Sequence, residues 1–330
     1  MLKALYILRS DRFELVYGPE ERAEIDKLVD VYAPPQSAES VRGNPRILAD
    51  AEVILSGWGA PVLDAAFLAA APKLKAFFYG AGSIKAIVTD AFWDRGIVMT
   101  SAYAANAVPV AEFTLSQILY SLKRGWYFAT TIKCERRWVT KATVPGGYGS
   151  TVGLISLGMV GRRVRELLKA FDLAVLAYDP FLTPDMAREL DVERCSLEDI
   201  FRRADVVSLH TPWLKETEGM ITGAHLASMK PNATFINTSR GAIVRESELI
   251  EVLQRRPDLW AILDVTYPEP PVPGSPLYLL PNVVLTPHIA GAMDGECRRL
   301  GRYTVEELRR YVNGEPLRWA ITREREALLA

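Results

Sequence analysis

Apolar positions in the first hundred residues fall in short runs separated by polar, helix-compatible stretches. Leu2–Leu8, Ala51–Leu55, Lys75–Phe78 and Ile97–Thr100 read as strands, and Glu20–Val29 as a helix. Ala60–Ala70 reads as a second helix with Pro61 near its first turn, where a missing N–H costs little. Strands alternating with helices predict a largely parallel sheet. From Pro109 the pattern turns long and helical to about Ile132, bent or broken near Gly125. Pro145-Gly146-Gly147-Tyr148-Gly149 then leads into a strand at Thr151–Ser156. A second strand–helix series follows, with strands at Ala174–Tyr178, Val206–Leu209, Thr234–Asn237, Trp260–Val265 and Val283–Thr286. Glu296–Val312 is amphipathic and is followed by Gly314, placed as a C′ residue. The pattern predicts two α/β domains, with the tail returning to the first.

Composition narrows the class. A chain of 330 residues is long for one core and suits two domains of ordinary size. With about half its residues apolar and a quarter charged, it reads as a globular protein rather than a disordered one. A formal net charge of -1 gives no electrostatic reason to bind nucleic acid or an anionic membrane. Cys134, Cys195 and Cys297 are far apart and form no CxxC, which argues against a structural zinc or a disulfide framework. The N-terminal apolar run is short and meets Arg9, Asp11 and Arg12 at once, so it reads as a first strand and not as a signal peptide. The expected location is the cytoplasm.

Two groups of residues carry chemistry. The run from Thr151 to Arg162 joins a buried strand, a tight turn and a helix start. Gly158 would let backbone approach a pyrophosphate, Gly161 would allow close helix–strand packing, and the helix N-terminus would supply donors. Ser156 stands where the first glycine of the fingerprint is usual. About 20 residues beyond Gly158, Asp179 ends the next strand, where a carboxylate can accept from a ribose 2′-hydroxyl and repels a 2′-phosphate. These residues predict a dinucleotide site that prefers NAD to NADP. The second group is His288 in Thr286-Pro287-His288-Ile289-Ala290-Gly291, with Arg240, Asp264 and Glu269 upstream. An imidazole, a carboxylate and a guanidinium are what is needed to move a proton at a carbonyl oxygen while holding an acid. His210 reads as structural beside the cofactor, and His225 as a surface residue.

The chain resembles the D-isomer-specific 2-hydroxyacid dehydrogenases, which include phosphoglycerate, glyoxylate/hydroxypyruvate and D-lactate enzymes. The resemblance rests on Asn106–Glu112, the Gly158 turn, Leu209-His210-Thr211-Pro212, Asn237-Thr238-Ser239-Arg240-Gly241, Leu263-Asp264-Val265 with Pro268-Glu269-Pro270, and Thr286–Gly291. It implies two doubly wound parallel-sheet domains. One is a flavodoxin-like substrate domain of residues 1–101 plus 293–330, and the other a Rossmann NAD-binding domain of residues 102–292. It implies His288 as acid/base, Glu269 as its partner, and Arg240 as the substrate-binding cation. Cofactor contacts would come from Gly158, Met159, Val160, Gly161, Asp179, Thr211, Thr238, Ser239, Arg240, Asp264, His288 and Ala290, with Asp264 at the nicotinamide end. Gly80, Ala81 and Gly82 would offer N–H groups to the substrate carboxylate, and Trp58 and Tyr79 would shape the pocket.

No metal is implied. The expected partners are a small 2-keto or 2-hydroxy acid and a second copy of the chain, and neither nucleic acid nor membrane. The chain departs from the family pattern at Ser156 and at Arg245, where an acid is common. The other readings open at this point are a phosphite- or formate-type dehydrogenase and an NADH-sensing protein like the corepressors that share this scaffold. Glu269 disfavours the formate branch, which carries glutamine there.

Overall fold

The computed structural model describes residues 1–141 and 143–328, and the chain divides into two units. Unit 1 is Met1–Asn106 with Ala292–Ala330, and unit 2 is Ala107–Gly291. The division falls at Asn106 and Gly291 rather than after Ser101 and Ala292, for a local reason. Ala102 and Ala105 are buried with unit 1, and the Asn106 side chain accepts the Ala292 N–H at 2.9 Å.

Unit 1 is built on β1 (Lys3–Ile7), β2 (Asp30–Val31), β3 (Val53–Ser56), β4 (Ala76–Tyr79) and β5 (Val98–Ser101). They run parallel in the order β5-β4-β3-β1-β2, the flavodoxin-like order. A last strand, Ala320–Ile321, joins β5 antiparallel, with Ala320 opposite Thr100. β3 and β4 are apolar without alternation because both sheet faces are covered. The long helix Cys297–Val312 buries Leu300, Val305 and Leu308 in one of the two covering clusters.

Unit 2 carries β6 (Thr151–Ile155), β7 (Ala174–Tyr178), β8 (Glu193–Arg194), β9 (Val206–Leu209), β10 (Thr234–Asn237), β11 (Trp260–Leu263) and β12 (Val283–Leu285). They form one parallel sheet in the order β12-β11-β10-β9-β6-β7-β8. Counted within the unit this is the doubly wound Rossmann order extended by one strand. The order reverses between β6 and β9, and ligands of such sheets bind outside the carboxyl ends of the strands at that reversal.

Several elements differ from their sequence expectation. The helix expected at Ala60–Ala70 begins at Ala65, because the Asp64 carboxylate accepts the Phe67 N–H at 2.9 Å and caps it there. The helix expected from Pro109 starts at Tyr103 and holds Pro109 inside it, and a second helix runs Gly125–Glu135. Arg124, with φ +51°, makes the break between them. Among the described residues no helix is long and apolar enough to cross a membrane.

Candidate active site

The candidate site residues of unit 2 lie at the carboxyl ends of its strands. Beyond β6 the chain turns at Ser156, Leu157 and Gly158 into the helix Met159–Leu168. A Cβ at Gly158 would meet nothing within 4 Å, whereas one at Gly161 would come 2.1 Å from the Ser156 carbonyl oxygen. Gly158 therefore leaves open space over the turn, and Gly161 lets the helix seat against the strand end. Met159 is exposed and Val160 half-buried on the first helical turn. The Asp179 carboxylate, just past β7, accepts the Leu157 N–H at 2.7 Å and the Phe181 N–H at 2.8 Å. It thus holds the glycine turn in place and keeps lone pairs for a further donor.

On the other side of the reversal, His210 and Thr211 follow β9. Thr211 Oγ1 lies 2.8 Å from Ser156 Oγ. His210 Nε2 lies 3.1 Å from Ser208 Oγ, while its buried Nδ1 has no hydrogen-bond partner among the described residues. Burial pushes the His210 pKa down to about 3, so the ring is neutral. A dinucleotide fits this end of the sheet: the turn is open above Gly158, the helix N-terminus faces it, and an orphaned ring nitrogen stands beside it.

The loop after β10 is organised by Asn237. Its Oδ1 accepts from Ser239 N at 3.0 Å and Ser239 Oγ at 2.9 Å, and its Nδ2 donates to Arg240 O at 3.0 Å. Thr238 Oγ1 lies 3.1 Å from Thr114 Oγ1. Half-buried Arg240 donates from Nη1 to Ser239 O at 2.7 Å, its one side-chain hydrogen bond among the described residues. Burial lowers the Arg240 pKa, and the Glu269 carboxylate opposes that shift. The guanidinium stays charged with donors to spare.

His288 and Glu269 meet directly, with Nδ1 and Oε1 2.7 Å apart. The backbone at His288 is left-handed, with φ +56°, a conformation that surrounding contacts must enforce. Asp264 supplies them. Its Oδ1 accepts from Thr286 Oγ1 at 2.5 Å and Ile289 N at 2.8 Å, its Oδ2 from Ala290 N at 2.9 Å, and its carbonyl from His288 N at 3.0 Å. A cavity of about 400 Å³ opens beside the pair, walled by Pro270, Pro271, Tyr278, Leu285 and Pro287.

Asp264, expected at the nicotinamide end, is 2% exposed, and its carboxylate holds the His288 loop. Ala290 likewise spends its N–H on Asp264. In unit 1 the Gly80 N–H donates to Ser56 O at 2.9 Å, so it is no donor for a substrate. Glycine is needed at 80 because a Cβ would come 2.9 Å from Tyr17 Oη and from Val16 Cγ1. Ala81 and Gly82 have N–H groups without a hydrogen-bond partner among the described residues. Tyr79 is buried in a unit 1 cluster and Trp58 packs partly exposed against it.

Two residues have a local duty that the sequence reading did not assign. Thr286 ties to Asp264, and Glu246 accepts the Tyr267 N–H at 3.0 Å and so anchors the Glu269 loop. Burial raises the Glu246 pKa. Arg245 is explained by its partners, Gly219 O and Glu248. Among the described residues no group of His, Cys, Asp and Glu is arranged to hold a metal.

The family described as D-isomer specific 2-hydroxyacid dehydrogenase, NAD binding domain, matches residues 115–290. The chain belongs to the D-isomer specific 2-hydroxyacid dehydrogenase family. The matched segment lies within unit 2, which is thereby the family's NAD-binding domain. The chain is 36% identical over 270 residues to D-3-phosphoglycerate dehydrogenase of Mycobacterium bovis, covering 81% of this chain and 50% of that protein. It is 35% identical over 252 residues to (S)-sulfolactate dehydrogenase of Chromohalobacter salexigens, covering 75% and 81%. The crystal structure of D-lactate dehydrogenase from Aquifex aeolicus, complexed with NAD and lactic acid, superposes with a TM-score of 0.69 at 26% identity, covering 94% and 96%. This member of the family spans about half the length of the phosphoglycerate dehydrogenases it matches.

Proposed function

We propose that the protein is an NAD-dependent dehydrogenase that interconverts a D-2-hydroxy acid and its 2-keto acid. The observation that carries the reading is the 2.7 Å His288–Glu269 pair, on the same unit as a half-buried Arg240 with donors to spare. Bound NADH would supply the hydride to the carbonyl carbon, and bound NAD+ would take it back. Glu269 fixes the imidazole by accepting from Nδ1, which leaves Nε2 to give a proton to the substrate oxygen as charge develops there. In the oxidation direction the same nitrogen removes the hydroxyl proton. Arg240 forks onto the carboxylate and carbonyl oxygen, a task its planar donors suit better than a lysine's. Positive charge fixed beside the developing alkoxide stabilises the transition state more than the ground state.

Asp179 would receive the ribose hydroxyls and disfavour a 2′-phosphate, so NAD is preferred to NADP. In unit 1 the unpartnered Ala81 and Gly82 N–H groups support the expected role in carboxylate binding. The family resemblance carries with it a cytoplasmic homodimer, which light scattering and cell fractionation check.

The test is NADH oxidation followed by absorbance with glyoxylate, hydroxypyruvate, pyruvate, 2-ketoglutarate and phenylpyruvate, repeated with NADPH and with His288→Asn. Turnover that prefers NADH and falls at least about 100-fold in the variant, while NADH affinity is kept, is the expected result. Tight NADH binding without turnover of any acid would overturn the reading in favour of a nucleotide sensor on this fold. Unchanged turnover in His288→Asn would take the histidine out of the mechanism.

A further inference from the structure

We infer that the Ser156–Thr211 hydroxyl pair is a built-in hydrogen-bond donor for the diphosphate of the dinucleotide, an inference that rests on the NAD reading above. Ser156 has φ +73°, a left-handed backbone in which glycine is at ease and an L side chain is not. Three contacts hold it there. Its N–H donates to Tyr178 O at 2.7 Å, its carbonyl lies under Gly161, and its Oγ meets Thr211 Oγ1 at 2.8 Å. Glycine would keep the first two without strain. Only the hydroxyl supplies the third, so the third is what the serine adds.

Counting protons shows what that contact leaves over. Two hydroxyls carry two protons, and their mutual bond uses one whichever oxygen donates. Both residues are buried, and among the described residues neither oxygen has another partner. One O–H is therefore left without an acceptor among the described residues, on a pair of largely buried side chains. The His210 Nδ1, next along the chain to Thr211, is a second buried polar atom without a partner. Both flank the β6/β9 reversal, beside the open space at Gly158. An anionic oxygen is the acceptor that a lone buried hydroxyl proton suits best.

The test is fluorescence titration of the full chain with NADH, with ADP-ribose as a competitor that lacks the nicotinamide, alongside thermal melts of the unliganded protein. Ser156→Gly relieves the backbone and is expected to melt no lower than wild type, and because it and Thr211→Val each leave one hydroxyl with its proton unspent, each should bind NADH and ADP-ribose only slightly more weakly than wild type. The double variant Ser156→Gly/Thr211→Val has no hydroxyl proton left to offer and should bind both ligands roughly 10-fold more weakly, the scale of one charge-assisted hydrogen bond. The double variant binding both ligands as tightly as wild type, or losing NADH but not ADP-ribose, would overturn the assignment. A wild-type chain that binds neither ligand would remove the nucleotide reading and this inference with it.

Discussion

At the scale of single residues, the His288–Glu269 pair is nearly half exposed, with side chains 46% and 42% accessible, so close packing does not fix it. The anchoring of its loop does, through the three donors that the Asp264 carboxylate gathers and the His288 N–H that the Asp264 carbonyl accepts. His210 is the opposite case, an imidazole whose charge state is set by burial. The unfolded ring takes its proton near pH 6.5, whereas the folded one refuses it until about pH 3. Between these values unfolding binds a proton, so the contribution of His210 to stability is fully present above about pH 6.5 and lost progressively as pH falls. Going from pH 7.5 to pH 5, this one group should remove about 2 kcal/mol from the unfolding free energy of the unliganded protein. Urea unfolding at the two pH values in wild type and His210→Asn checks it. The variant should lose less stability on acidification by about that amount, and equal losses would mean the ring is already protonated in the fold.

At the scale of elements, the loops that carry Arg240 and Glu269 are pressed together. A Cβ at Gly241 would come 2.0 Å from the Thr266 carbonyl carbon and 2.5 Å from Tyr267 N, both backbone atoms that cannot rotate away. Glu246, a few residues on, adds the hydrogen bond to Tyr267 N. Gly241→Ala should therefore cost about 1–3 kcal/mol of stability as an overpacked contact. Because it pushes the Glu269 loop, it should also lower kcat more than it weakens NADH binding. Thermal melts and steady-state kinetics read both effects, and a variant that melts and turns over like wild type would show the two loops to be independent.

This contact also marks where the sequence stops being legible. Continuous apolar runs such as Val206–Leu209 and Trp260–Leu263 announce buried parallel strands, and each strand read from periodicity lies within a residue or two of its place, whereas the two-residue strands Asp30–Val31, Glu193–Arg194 and Ala320–Ile321 are too short to leave a pattern. Helix starts were harder, because a cap such as Asp64 competes with the apolar pattern and wins. The site divides in the same way. His288, Glu269 and Arg240 stand in recognisable motifs and are placed on one unit. The duties of Asp264, Glu246 and the Gly80 N–H are invisible beforehand, since each depends on which backbone group a distant strand end brings within reach.

At the scale of the whole molecule, each unit has hydrophobic clusters of its own. Unit 1 is centred on residues such as Leu5, Phe77 and Phe78, and unit 2 on residues such as Phe201, Phe235 and Ile262. A ligand that binds the folded state stabilises what it binds, by about 2.7 kcal/mol at 100 times its dissociation constant. The Gly158 turn, Asp179, Thr211 and the Arg240 loop all belong to Ala107–Gly291, so NADH should stabilise that unit first. Hydrogen exchange followed by mass spectrometry checks this, because local opening reports unit by unit. NADH alone should slow exchange in peptides covering the carboxyl ends of β6, β7, β9 and β10, with less change in β1 to β5. Adding an unreactive acid analogue should extend the slowing to peptides holding Ala81 and Gly82, whose free N–H groups are the expected carboxylate donors. Protection by NADH confined to β1 to β5 would place the nucleotide on the wrong unit and overturn the division of labour proposed for this chain.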